Sequence, residues 1–148
     1  MLSFPNLSKV TFFFEVKRFA VPRVSMLKSF VRTIFFTEER NLESLSYIFC
    51  SDDYLLTLNR QFLYHDDYTD IVTFNLAADN LPVIGECYIS IDRIKENAHF
   101  YNTTINHELL RVIFHGALHL CGYADKTQHD ISIIRNKEDH YLQLFLAT

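Results

Sequence analysis

Apolar residues at helical spacing (Leu109, Val112, Ile113 and Leu120) predict one long buried helix from Thr104 or Ile105 to Cys121. Towards its C-terminal end stand His115 and His119, four apart and so one turn above each other on one face. Their imidazoles can converge on one ion without bending the backbone. Gly122 follows three residues after the second histidine, where a helix often stops on a residue at positive φ. A chain that turns there brings Asp125 back towards the imidazoles. Three ligands with a fourth position left to water is the pattern of a catalytic zinc site. The expected metal set is therefore His115, His119 and Asp125 around one divalent ion, Zn2+. His129, four residues further on, is the rival third ligand.

The spacing H-x3-H-x5-(H/D), with a glycine three before the last ligand, is that of the metzincin peptidases. One letter departs from it. Where H-E-x-x-H carries the glutamate that serves as general base, this chain has Gly116. That counts against peptide hydrolysis. Two buried histidines satisfied by hydrogen bonds is the bland reading of an isolated H-x3-H; the glycine and carboxylate in register favour a metal.

The rest of the composition sets the frame. A chain of 148 residues is expected to form one domain, 1–148, burying roughly two thirds of its unfolded surface. Apolar residues make up 49% and charged ones 22%, the balance of a globular chain. With 14 phenylalanines, eight tyrosines and no tryptophan, the core is expected to be built on aromatic rings. Cys50, Cys87 and Cys121 are odd in number and unpaired in spacing, which points to a reducing compartment. Met1-Leu-Ser-Phe-Pro5 has no signal-peptide pattern and no run approaches a membrane span, so a cytoplasmic protein without a membrane partner is expected. Net charge is −4 but uneven: residues 1–36 hold six basic groups against Glu15 alone. Arg23, Lys28 and Arg32 on the first helix are the candidate nucleic-acid contacts; a solvated helix face is the plainer alternative.

Val10–Val16 and Leu42–Cys50 read as strands separated by a helix at about Arg23–Thr37. Ser51-Asp-Asp53 caps a second helix to about Phe62, and His65-Asp-Asp-Tyr68 is a polar loop. Asp70–Leu76 and Glu86–Ile91 are a third and fourth strand, antiparallel across a short turn. Asp92 caps a helix to Tyr101, the histidine helix follows, and a last helix covers about Asp130–Phe145. The order βαβαββααα predicts an α+β domain. It has a small mixed sheet of about four strands with helices packed over it, and the metal site lies at the C-terminal end of the long helix.

These segments resemble the YbeY family. Its motif H-G-x-L-H-L-x-G-Y-x-H is met from His115 through Asp125 everywhere but the last position, where the family's histidine aligns with Asp125. The T-D/N-V-L-S-F strand appears as Thr69-Asp-Ile-Val-Thr-Phe74, and G-D-I-x-I-S as Gly85-Glu-Cys-Tyr-Ile-Ser90. Leu58-Asn59 matches the L-N of the preceding helix. Where the family carries a Y-R pair the chain has Phe62-Leu63, which removes a phosphate contact; Arg60 lies three residues before Leu63. The resemblance implies a metal-dependent, single-strand-specific endoribonuclease. Its expected task is 16S rRNA 3'-end maturation and ribosome quality control, in company with the ribosome or small-subunit proteins.

A divalent ion on His115, His119 and Asp125 would act on a phosphodiester as a Lewis acid and lower the pKa of bound water. The catalytic base stays open among the metal hydroxide, His129, Glu86 and Asp70. Against the ribonuclease stand a zinc metallopeptidase and a non-catalytic ribosome assembly factor with a structural metal. His65, His99, His107 and His140 lack partners at ligand spacing and are read as surface or core residues.

Overall fold

The computed structural model describes residues 8–65 and 68–148. Asp66 and Asp67 of the expected polar loop, and the N-terminal pentapeptide, lie outside them. The element order is β1 (Lys9–Phe14), α1 (Val24–Thr37), β2 (Leu42–Cys50), α2 (Asp52–Leu63), β3 (Ile71–Asn75), β4 (Val83–Ser90), α3 (Ile91–Phe100), α4 (Ile105–Leu120) and α5 (Gln128–Leu146). This is the α+β arrangement the sequence predicts, with shifts at the ends. β4 starts at Val83 rather than Glu86, because Leu76 and Ile84 continue the hairpin ladder towards the turn. Ser90, not Asp92, caps α3: its hydroxyl accepts from the Arg93 N–H at 3.1 Å. Thr127 and Asp130 form a reciprocal capping box that starts α5 two residues early.

The sheet runs in the order β1-β2-β4-β3. β1, β2 and β4 are parallel, and β3 pairs antiparallel with β4. Alternation along β4 divides the core between two faces. Cys87 and Ile89 belong to the main core with α1, α4 and α5, while Tyr88 joins the small cluster of Leu55, Val72 and Phe74 beneath α2. Phenylalanines do fill the main core: Phe30 contacts Phe114 and Phe145, and Phe12 and Phe14 pack on Phe49.

Helix α4 lies hard against the sheet, and two glycines permit it. A Cβ on Gly85 would come within 2.7 Å of Leu120, and one on Gly116 within 2.8 Å of Ile71 and 2.9 Å of Cys87. Tyr47, wholly buried, donates to the Ile113 carbonyl at 2.8 Å and fixes β2 to the same helix. All three cysteines are buried and free. No described helix is long and apolar enough to cross a membrane.

Candidate metal and active site

The polar stripe of α4 runs Glu108, Arg111, His115 and His119, at steps of three and four residues. At its end Gly122 adopts φ +112°, and a double hydrogen bond closes the helix: Tyr123 N–H to the Leu118 carbonyl at 3.1 Å and Gly122 N–H to His119 at 3.0 Å. This is the Schellman geometry that the glycine predicts. The turned chain carries Asp125 back until its Oδ2 stands 3.4 Å from His115 Nε2.

Each imidazole is held by its other nitrogen. His115 Nδ1 lies 2.8 Å from Glu138 Oε2, and His119 Nδ1 lies 2.9 Å from the Tyr123 carbonyl. Nε2 is thereby left as the open nitrogen of both rings, the arrangement in which a carboxylate or carbonyl orients a metal-binding histidine. Glu138 is buried on α5, and its second oxygen accepts from Arg111 at 2.9 Å; Arg111 also reaches Asp139 at 2.7 Å. Burial opposes a charge on His115, but the Glu138 carboxylate outweighs it and raises the ring's pKa overall.

The donor chemistry fits a divalent ion, although the side chains stand apart. Among the described residues no three His, Cys, Asp or Glu side chains are gathered at ion-holding distance. The two imidazoles are parallel with centroids 6.4 Å apart, and the side chains would have to close to bring their nitrogens about 2.0–2.1 Å from one ion. His129 sits exposed in the first turn of α5 and lines neither cleft described below.

A groove of about 630 Å3 runs past His115, His119 and Asp125, walled by Asn59 and Leu63 of α2 and by the edge strand β3. Asp70 lines it too, with a pKa raised by burial. Of the other bases named from sequence, Glu86 accepts from the Tyr88 hydroxyl at 3.0 Å and lies outside the groove. Lys126 is the one lysine or arginine lining the groove among the described residues; Arg60 does not line it. The basic residues of α1 are engaged elsewhere. Arg23 donates to Thr148 and lies over Phe145, Lys28 over Phe12, and Arg32 donates to Ser29.

Sequence spacing did not bring forward Glu138, Arg111 or Glu108. Glu108 and Arg111 were available as the upstream continuation of the histidine face. Glu138 had no such signal, being brought to His115 across 23 residues by the packing of α5 on α4.

The fold and the site together are those of an α+β domain whose two histidines, one held by a carboxylate and one by a backbone carbonyl, face a groove along a sheet edge. A family model described as Endoribonuclease YbeY matches residues 15–145. A protein named Endoribonuclease YbeY from Cytophaga hutchinsonii is 43% identical over 135 residues, covering 91% of this chain and 94% of the relative. One of the same name from Flavobacterium psychrophilum is 38% identical over 136 residues, covering 92% and 96%. The solution structure of a Thermotoga maritima protein superposes with TM-score 0.64 at 28% identity, over 93% of this chain and 89% of that one. The chain belongs to the Endoribonuclease YbeY family.

Proposed function

We infer that the chain is an endoribonuclease, a hydrolase of RNA, acting as one domain, and that its chemistry is carried by His115, His119 and Asp125 around one divalent ion, Zn2+. The observation that carries the site assignment is the pair of tethered Nδ1 atoms, which leaves both Nε2 atoms open in a single groove with Asp125. A bound ion would polarise the phosphodiester and supply water of lowered pKa. The chain's own residues do the rest. Glu138 holds the His115 ring in place and, as a carboxylate, accepts its Nδ1 proton. Asp70, in the groove and raised by burial, is the carboxyl placed to take a proton from the attacking water.

Single-stranded rRNA, the 16S 3' end in particular, is the proposed substrate, met on the ribosome or with small-subunit proteins in the cytoplasm. Family membership and the resemblance in sequence support this. The peptidase alternative loses its base for a physical reason: position 116 faces Ile71 and Cys87 in the core, where a glutamate has no room. The test uses purified, nuclease-free protein on single-stranded and duplex RNA, with and without chelator, beside His119→Ala. Cleavage of the single strand alone, abolished by chelator and by the substitution, is expected. Cleavage that survives both removes the metal reading, and its absence under every condition, metal-loaded included, returns the protein to a non-catalytic factor.

A further inference from the structure

A second cleft, of about 260 Å3, opens on the α5 side of the same histidine. Asp70, His115 and Asp125 line both clefts, so the groove continues into this one beside the imidazole. Its other walls include Tyr101 at the end of α3, Glu108 and Arg111 on α4, and Arg135 on α5. Arg111 is paired with Glu138 and Asp139. Glu108 is not used. It is 5% exposed, and among the described residues no hydrogen bond or ion pair reaches its carboxyl. Burial raises its pKa and the nearby Asp70 carboxylate adds to the effect, while the Arg111 and Arg135 charges oppose it without overcoming it.

Among the described residues the buried side-chain polar atoms without a partner are Arg93 Nε and His107 Nδ1, so the Glu108 oxygens, unpartnered within the protein, stay open to the cleft. What fits is a flat group that presents donors to Glu108. Resting on the ribonuclease reading, we propose that this cleft receives the nucleobase beside the scissile phosphate and selects guanine through Glu108. Guanine offers N1–H and the N2 amine side by side, matching the two oxygens of one carboxylate. Adenine and cytosine set a ring acceptor beside their amine, and uracil flanks its single N–H with two carbonyls; each leaves an acceptor facing Glu108. Tyr101, 58% exposed at the mouth, supplies a ring for the base to stack on. Arg135, exposed and outside any ion pair among the described residues, supplies a guanidinium for the phosphate that follows.

The experiment uses full-length protein and single-stranded RNAs identical except for one base: guanine, inosine, adenine, cytosine or uracil. Both cleavage and binding by anisotropy are read. The wild type is expected to cut beside guanine and bind the guanine RNA about tenfold better than the pyrimidine RNAs, with inosine, which lacks the N2 amine, in between. Glu108→Gln should lose that preference in both readouts. Tyr101→Ala, at the exposed mouth and so without a folding liability, should weaken binding to all five RNAs. Equal binding of the five by the wild type, or a guanine preference kept in Glu108→Gln, overturns the pocket. Binding that prefers guanine while no RNA is cut upholds the pocket and overturns the nuclease reading instead.

Discussion

His115 and His119 stand one turn apart on the same helix and are held by opposite means. His115 is gripped from inside the protein, by a carboxylate with a 3% exposed side chain that is itself tied to Arg111 and so to Asp139. The outer end of the site, by contrast, is exposed and held locally. His119 leans on the carbonyl of Tyr123, and Asp125 follows on a turn with its side chain 44% exposed. A buried charge network is rigid because each partner left alone would be strongly penalised. A backbone turn imposes no such penalty. His115 is therefore held more rigidly than His119 and Asp125, and if the three hold an ion as proposed, the outer pair is the part left to adjust.

Breaking the inner grip should have the largest effect on folding. Glu138→Ala leaves Arg111 without its buried partner and His115 without its orienting acceptor. We expect a loss of about 3–5 kcal/mol in denaturant melts and metal binding weakened about 10–100-fold by titration. Glu138→Gln, which keeps one of the two acceptor oxygens but not the charge, should lose less of each than Glu138→Ala. Equal metal affinity in the wild type and in Glu138→Ala would remove the distinction between the two ends.

The turn at the outer end has its own support, and it is sensitive to acid. Glu38, after α1, accepts hydrogen bonds from Tyr123 at 2.6 Å, from Tyr141, and from Lys137 at 3.2 Å. Burial alone would raise its pKa, but these three donors outweigh it and the pKa is lowered from its ordinary 4.5. A carboxyl depressed on folding stabilises above its unfolded pKa and loses that contribution as pH falls through the folded value. Glu38→Gln should cost about 1–3 kcal/mol at neutral pH. Its melting temperature should then fall less steeply than the wild type's below pH 4.5. Parallel melting curves against pH would show that Glu38 carries no part of the acid response.

How legible each end was in the sequence follows from the same contrast. The outer end is local: the H-x3-H step, the glycine at positive φ and the carboxylate three residues on are a pattern of spacing, and the turn forms as that spacing predicts. The order of the elements was legible for the same reason, because periodicity and capping residues act over a few positions. The inner end is not local. Glu138 looks like any polar residue on the last helix until α5 packs on α4. Gly116, read from sequence as a missing base, is in the structure a contact between α4 and the sheet. Its meaning depends on Ile71 and Cys87, which only the tertiary fold brings near.

Asp125 sharpens the comparison from the outer side. Its removal should scarcely touch folding, within about 0.5 kcal/mol as for an exposed surface position. Asp125→Ala should nevertheless lose most of its metal, and Asp125→His should keep it. Metal content of these two variants and of His129→Ala decides the third ligand. A loaded Asp125→Ala beside an empty His129→Ala would transfer the role to His129.

The smallest effect belongs to Lys126, and it bears on where RNA lies. Lys126 sits on the outer turn and makes no ion pair among the described residues, so Lys126→Gln should leave stability unchanged. As the groove's one lysine or arginine it is the side chain placed to meet a phosphate beside the histidines. Losing one such contact on a single strand should lower the slope of log affinity against log salt by about 0.7. The comparison is a triple neutralisation of Arg23, Lys28 and Arg32, the cations that charge alone singles out. Their side chains are already occupied by Thr148, Phe12 and Ser29, and α1 would carry RNA only if those contacts gave way. A slope lowered by Lys126→Gln and untouched by the triple variant places the strand along β3 and the outer turn. The reverse result places it over α1, with the groove receiving only the phosphate that is cut.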